Sequence, residues 1–268
     1  FKINNSNSFE FIKKLENELS DFENIRVKKN FSIIGIHDHS YLIGSENMEQ
    51  MERNGQSSVR QRLWRIRAKH VILATGAIER PLVFAGNDIP GVMLCSAALE
   101  FYKLYGVSPG DRVVVLTNND SAYSSVIELF NAGISVPLVI DVREKSDGNL
   151  PLKAKKLGIR VEFSKAISKV IGKKKVKAVE LCSVVGEGAV LETIICDSVL
   201  MSGGWTSTLN LWSHCGGKIK WDSKLNTLVP DESFPSINEF GRSFITVLGS
   251  ANGKFWPSDL FANIEKKL

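Results

Sequence analysis

The stretch Arg67-Ala68-Lys69-His70-Val71-Ile72-Leu73-Ala74-Thr75-Gly76 decides how the rest of the chain reads. Val71-Ile72-Leu73 is an uninterrupted apolar run, the mark of a buried strand, and it ends on the small residues Ala74, Thr75 and Gly76. At such an end the backbone can pass close to a dinucleotide, where larger side chains would collide with it. Any buried strand before a turn has a similar run. Ile78-Glu79-Arg80-Pro81 directly after it favours the functional reading. Glu79 and Arg80 read as an ion-paired elbow holding a domain crossover, and no catalytic acid or base is expected in the chain.

A second apolar strand, Asp197–Met201, also runs into small residues, Ser202-Gly203-Gly204. The two ends bracket a complete α/β unit. Leu94–Tyr105 reads as a helix closed by Val107-Ser108-Pro109-Gly110, and a β-α-β signal follows. Its parts are strand Arg112–Leu116, turn Thr117–Asp120, helix Ser121–Ala132 and strand Val136–Asp141. Helix Leu152–Leu157, a short strand Arg160–Phe163 and two or three further strands turn at Lys173–Lys175 and at Gly186-Glu187-Gly188. The expectation is a first domain of residues 1–108 and 202–268 interrupted by an inserted one, 109–201. Near the start, Ser8 can cap a helix bearing Phe9, Ile12, Leu15 and Leu19, Ile25–Ile36 reads as strand, and Gly55-Gln56-Ser57-Ser58 marks a loop or hairpin tip.

The 268 residues suit one large domain or two small ones. Hydrophobic residues at 43% and charged residues at 24% exclude a disordered tail, a collagen-like fibre and a disulfide-dense miniprotein. No apolar run is long enough to cross a bilayer, and the start, Phe1-Lys2-Ile3, has neither an initiator Met nor a signal core, as if from the middle of a longer chain. The net charge of +5 is mild. Arg60, Arg62, Arg65, Arg67 and Lys69 alternate with apolar residues as on a half-exposed strand, and no nucleic-acid motif accompanies them. Cys95, Cys182, Cys196 and Cys215 are widely spaced and suggest reduced thiols in a cytoplasmic protein. His37-Asp38-His39 has no third ligand set up nearby, so no metal is expected.

The β-α-β turn departs from a nucleotide fingerprint. Thr117 and Asn119 stand where the two tight glycines would be, and only the small Ala122 remains, so NAD is not expected to bind there in the usual manner. Asn118, Asn119 and Ser121 beside a helix N-terminus offer donors for a single phosphate, although Asp120 opposes an anion. A turn repaired by Asn and Asp caps that binds nothing explains the same residues.

The strand ending in Ala-Thr-Gly resembles the second signature of flavin disulfide-reductase-like folds. Proteins of that class close with a strand and Gly-Asp, the Asp bonding the flavin ribityl chain. In Phe244-Ile245-Thr246-Val247-Leu248-Gly249-Ser250-Ala251-Asn252-Gly253, Ser250 holds that place, which argues against an ordinary FAD site. The blocks Arg62–Met93, Tyr105-Gly106-Val107, Thr117–Tyr123, Asp141-Val142-Arg143, Ser202–Trp205 and Gly249–Gly253 resemble the alpha subunit of heterotetrameric sarcosine oxidase. The implied fold class is α/β: a three-layer FAD/NAD(P)-binding, disulfide-reductase-like core with an inserted Rossmann-like domain.

The resemblance implies a flavoenzyme complex with beta, gamma and delta subunits that demethylates sarcosine oxidatively to glycine. The one-carbon unit passes to tetrahydrofolate and the electrons to oxygen. The alpha subunit would hold NAD as a structural cofactor. Ile33 would contact the adenine through its backbone, Thr75 and Gly76 would line the dinucleotide, and Gly249, Ser250, Ala251 and Phe255 would face its pyrophosphate and nicotinamide end. FMN would lie between the alpha and beta subunits, with the turn bearing Asn118, Asn119 and Ser121 as a candidate for its phosphate. The family's glycine-rich loop, the acidic residue for the adenosine ribose and the folate domain are not in this sequence, and Ser207 stands where Pro is usual. The chain alone is therefore expected to be inactive and to bind NAD weakly or not at all. The rival readings are a related opine, amine or amino-acid oxidase or dehydrogenase subunit, and a scaffold that has lost its cofactors.

Overall fold

The computed structural model describes residues 2–3, 6–48, 60–256, 259 and 264. The expected hairpin tip at Gly55–Ser58 lies outside them. The chain divides into two compact units, one made of residues 1–77 and 207–268 and the other of residues 78–206. The crossings, Ala77–Glu79 and Trp205–Ser207, pair with each other as a two-stranded sheet.

The second unit is built on five parallel strands. Val92–Leu94, Arg112–Thr117, Ser135–Asp141 and Val161–Phe163 alternate with helices Cys95–Tyr105, Ser121–Asn131 and Asn149–Lys156. Ser198–Ser202 returns to lie between the first two strands. Arg112–Thr117 is central and buried on both faces, which explains its unbroken apolar run. Val113 and Val115 pack toward the helices with Cys95, Tyr123 and Leu129. Val114 and Leu116 pack the other way, against an antiparallel sheet of Lys165–Gly172, Val176–Ser183 and Val190–Ile195. Helices, parallel sheet and antiparallel sheet thus form three layers. Residues 78–108, expected in the first domain, belong here instead. Val92–Leu94 is hydrogen-bonded into the parallel sheet, and Cys95 and Ala98 of the following helix are in its core.

The first unit carries helix Ser8–Ser20, an antiparallel sheet of Phe31–His37, Tyr41–Asn47 and Gln61–Arg67, and the parallel pair Val71–Leu73 with Ile245–Val247. Its core gathers Ile36, Leu42, Val71, Leu73, Trp212, Phe244 and Val247. The strand expected from Ile25 begins only at Phe31. Ile25 and Val27 are exposed and pair with no strand among the described residues, so their apolar pattern gains nothing from extension. Helix Asn210–His214 and hairpin Ile219–Asp222 with Thr227–Pro230 follow the second crossing.

All four cysteines are free thiols. Burial, with the Glu79 charge adding to it, holds Cys95 well above the usual thiol range. Burial and the neighbouring Asp197 push Cys196 up to about 12. Unfolded thiols ionise near pH 8.5, roughly. Above that pH the unfolded chain holds fewer protons than the folded one, so stability falls as pH rises. Going from pH 8 to pH 9 should cost about 1 kcal/mol for the two thiols together. The check is the urea midpoint at each pH, with the drop lost when both cysteines are replaced by alanine.

Candidate functional site

The parallel pair in the first unit runs Ile245 against Val71 and Val247 against Leu73, so both strands end together. Just beyond them lie Thr75-Gly76 and the short 3-10 turn Gly249–Asn252. Leu248 N–H donates to Leu73 O at 2.9 Å, which continues the pairing up to the loops. A third segment joins them. The Thr75 hydroxyl donates to Thr208 O (2.6 Å), Thr208 N–H donates to Gly76 O (3.0 Å), and the Ser207 hydroxyl donates to Ser250 O (3.0 Å). Gly76 has φ of 76°, a left-handed conformation that suits glycine, and a Cβ there would meet nothing nearer than Ser250 Oγ at 4.0 Å. Thr75, Gly76, Gly249 and Ser250 are thus brought to one loop cluster at the carboxyl ends of two parallel strands, where α/β folds bind ligands.

Ala251 is in that turn but fully buried, so its side chain packs into the core. Phe255 follows the turn and is half-buried. Ile33 sits in the antiparallel sheet, its backbone paired with Gly44 and its side chain against the same core. Ser207, the departure from the expected proline, ties the second crossing to the turn at Ser250.

The second unit has its own candidate turn, and there the hydrogen bonds are already made. Asn119 Oδ1 accepts from Ser121 N–H (3.1 Å) and from the Ser121 hydroxyl (2.5 Å). Asn119 Nδ2 donates to Ser202 O (3.2 Å) and Ser202 Oγ (3.0 Å). Trp205 Nε1–H donates to Ser121 Oγ (2.8 Å). The expectation that Asn119 and Ser121 offer free donors to a phosphate is corrected: both are spent within the chain. Asn118 differs, since its side-chain NH2 makes no hydrogen bond among the described residues.

Below this turn lies a charged network that the sequence reading missed. Asp141 is fully buried. Its Oδ2 accepts from the Tyr123 hydroxyl (2.8 Å) and from Arg143 Nη2 (2.7 Å), and its Oδ1 accepts from Arg143 N (3.1 Å) and Nε (3.0 Å). Arg143 Nη2 also reaches Asp120 Oδ1 at 2.8 Å, and the Ser146 hydroxyl donates to that oxygen at 2.9 Å. Burial and the adjoining carboxylates raise the Tyr123 phenol far above its ordinary range, so it stays a donor. The signal available was an acidic residue at a strand end with Arg two positions on, a spacing that points both side chains to one face.

The expected Glu79–Arg80 ion pair gives way to another arrangement. Glu79 is buried, and its Oε2 accepts from Ser96 N–H (2.8 Å) and the Ser96 hydroxyl (2.7 Å), anchoring the start of helix Cys95–Tyr105. A carboxylate there satisfies an otherwise unpaired amide and complements the helix dipole. His37 lies by His214, with ring centroids 5.2 Å apart, and His39 pairs with Glu239 at 3.3 Å. Among the described residues no three His, Cys, Asp or Glu are grouped to hold a metal. Among the described residues no helix is long and apolar enough to cross a membrane.

A discontinuous first unit with loops at paired strand ends, and a three-layer second unit, define a FAD/NAD(P)-binding fold of the disulfide-reductase type. Solved structures agree on the fold. Thioredoxin reductase from T. acidophilum superposes with a TM-score of 0.65 at 17% identity, covering 94% of this chain and 75% of that one. L-proline dehydrogenase from P. horikoshii gives 0.59 at 23% identity, covering 92% and 41%. Sequence relatives are more particular, and over most of its length the chain is related to the alpha subunit of sarcosine oxidase. It is 32% identical to that of Rhizobium meliloti (strain 1021) over 88% of this chain and 23% of the relative. It is 34% identical to that of Corynebacterium sp. (strain P-1) over 80% and 22%. An opine oxidase subunit of Agrobacterium tumefaciens (strain Ach5) is 25% identical over 60% and 35%. No family model matches the chain. The chain spans less than a quarter of the length of the sarcosine oxidase subunits it matches.

Proposed function

We propose that this chain is part of the alpha subunit of a sarcosine oxidase complex, contributing a structural dinucleotide site to a flavin-dependent oxidation of an amine. The observation that carries this reading is identity of 30% or more to three sarcosine oxidase alpha subunits across most of the chain. The proposed reaction converts sarcosine to glycine, with the methyl carbon released at the oxidation level of formaldehyde and passed to tetrahydrofolate. Beta, gamma and delta subunits are the proposed partners, and the cytoplasm the proposed compartment.

NAD is the proposed ligand of the first unit. Thr75, Gly76, Gly249 and Ser250 would hold it, with Ala251 shaping the turn from inside and Ile33 and Phe255 at the flanks. The bare backbone at Gly76, beside the Ser250 hydroxyl, fits a close approach by a dinucleotide. The hydroxyl at Ser250 brings no negative charge toward a pyrophosphate. FMN at a beta-subunit interface is proposed from the resemblance. When bound it would carry electrons away from the amine, and Asn118 keeps the donor that this chain could offer it. The 25% identity to an opine oxidase subunit supports a second reading, an opine as substrate.

The test is to tag the full-length protein that contains this sequence in its own cells and assay the purified complex. Expected are co-purified subunits, releasable NAD, and glycine and formaldehyde from sarcosine, with free formaldehyde falling when tetrahydrofolate is added. Oxidation of an opine with sarcosine untouched would favour the second reading. A protein that binds no nucleotide and oxidises neither would sink both in favour of a scaffold.

A further inference from the structure

In the second unit the places that a dinucleotide would fill in a β-α-β fold are occupied by the chain's own side chains. Such folds put glycine at the second tight position so that a pyrophosphate can reach the helix N-terminus, and an acidic residue about twenty positions on to bond the adenosine ribose. Here the second tight position is Asn119. Its carboxamide oxygen accepts from the Ser121 amide, an N-terminal helix donor that would otherwise face a phosphate oxygen. Its carboxamide nitrogen is bonded to Ser202 on the neighbouring strand. The acidic position is Asp141, and both of its oxygens are taken by Tyr123 and Arg143.

We infer that the second unit is closed to nicotinamide dinucleotides, with Asn119 standing at the pyrophosphate position and Arg143, clasped between Asp141 and Asp120, standing at the ribose position. An arginine after the second strand is also how related folds take the 2′-phosphate of NADP. Charge separates the two cases. Asp120 and Asp141 both hold the single guanidinium of Arg143, so its charge is already answered within the chain and is not offered to a 2′-phosphate. Ser146 on the same Asp120 oxygen, with Gly148 packed too closely against this carboxylate to carry a side chain, closes loop 142–148 over the turn. Asn119, Asp120 and Arg143 are therefore the residues that determine what this unit excludes. The inference rests on the fold and these bonds, not on the amine-oxidase reading, and it stands or falls separately.

Hydrogen exchange on the 268-residue chain with NADH or NADPH at millimolar concentration tests it. Peptides covering 117–123 and 141–148 should exchange at the same rate with and without nucleotide. Protection there by either nucleotide would overturn the inference, and protection by NADPH alone would mark Arg143 as a 2′-phosphate ligand. The double variant Asn119→Gly, Asp120→Ser removes the internal ligand and one of the two carboxylates on Arg143, leaving it paired with Asp141 alone. It should bind NADPH at least about tenfold more tightly than the parent, with new protection in the same peptides. A folded double variant, verified by circular dichroism, that gains no affinity would show that these side chains are not what closes the site. If the double variant does not fold, exchange on the parent chain decides.

Discussion

Phe244→Ala should unfold the first unit while leaving the second intact. Phe244 is almost wholly buried, and its carbonyl accepts the Val71 amide that starts the parallel pairing. Truncating a buried phenylalanine costs about 3–5 kcal/mol, from lost transfer energy and the cavity left behind. That is a large share of the total for a domain of ordinary stability, about 5–15 kcal/mol. The first unit is poorly placed to absorb it. Ile12, Leu15 and Leu19 along its first helix, Phe22 just after it, and Ile34 and Ile72 on its strands, remain exposed. Limited proteolysis of the variant should therefore cut within residues 6–77 and 207–256 and spare a fragment matching 78–206. Equal resistance of both units would show that Phe244 is not the keystone of this core.

The second large effect is expected at Arg143. Arg143→Ala leaves the Asp141 carboxylate fully buried, with the Tyr123 hydroxyl and a backbone amide to answer it. Removing one partner of a buried pair is strongly destabilising, because the remaining charge stays uncompensated. Arg143 is itself about one-third exposed, so water can enter and soften the loss. About 3 kcal/mol is expected, at the lower end of that class. Urea unfolding followed by the fluorescence of Trp205, the tryptophan within the second unit, should report it. Adding Asp141→Asn to the variant should recover part of the loss, since the uncompensated charge is gone. A loss below about 1 kcal/mol, the size of an ordinary exposed pair, would mean that the network is ornamental.

Most of the second unit is legible from local pattern. The strand at Arg112, the helix at Ser121 and the strand ending at Asp141 each fall within a residue or two of the reading. Their apolar residues are consecutive in sequence, and the burial of each depends on near neighbours. Val92–Leu94 is not legible as part of the parallel sheet, because three apolar residues have no period and its partner Val199 is far along the chain. The same limit explains Ile25–Val27, whose strand-like pattern cannot reveal whether a partner strand exists. At the site, the meeting of Thr75-Gly76 with Gly249-Ser250 is suggested by family likeness and realised by strand pairing. Asn119 reads as a donor to a ligand. Sequence shows that an amide is there but not that Ser202 and Ser121 have already claimed it. Glu79 reads as the partner of its neighbour Arg80, whereas it is bonded to Ser96, a helix start away.

The paired crossings have a consequence for how the molecule assembles. Pairing Val71–Leu73 with Ile245–Val247 closes a loop that spans the whole second unit. In an unfolded chain such a closure carries an entropy penalty that grows with the logarithm of loop length. Once residues 78–206 have folded, their ends are held side by side by the Ala77–Glu79 and Trp205–Ser207 pairing, and the penalty has already been met. The second unit, rich in sequence-local β-α-β contacts, is the part equipped to fold first. The first unit then condenses across a short gap, so a fault introduced in the second unit should slow the birth of both.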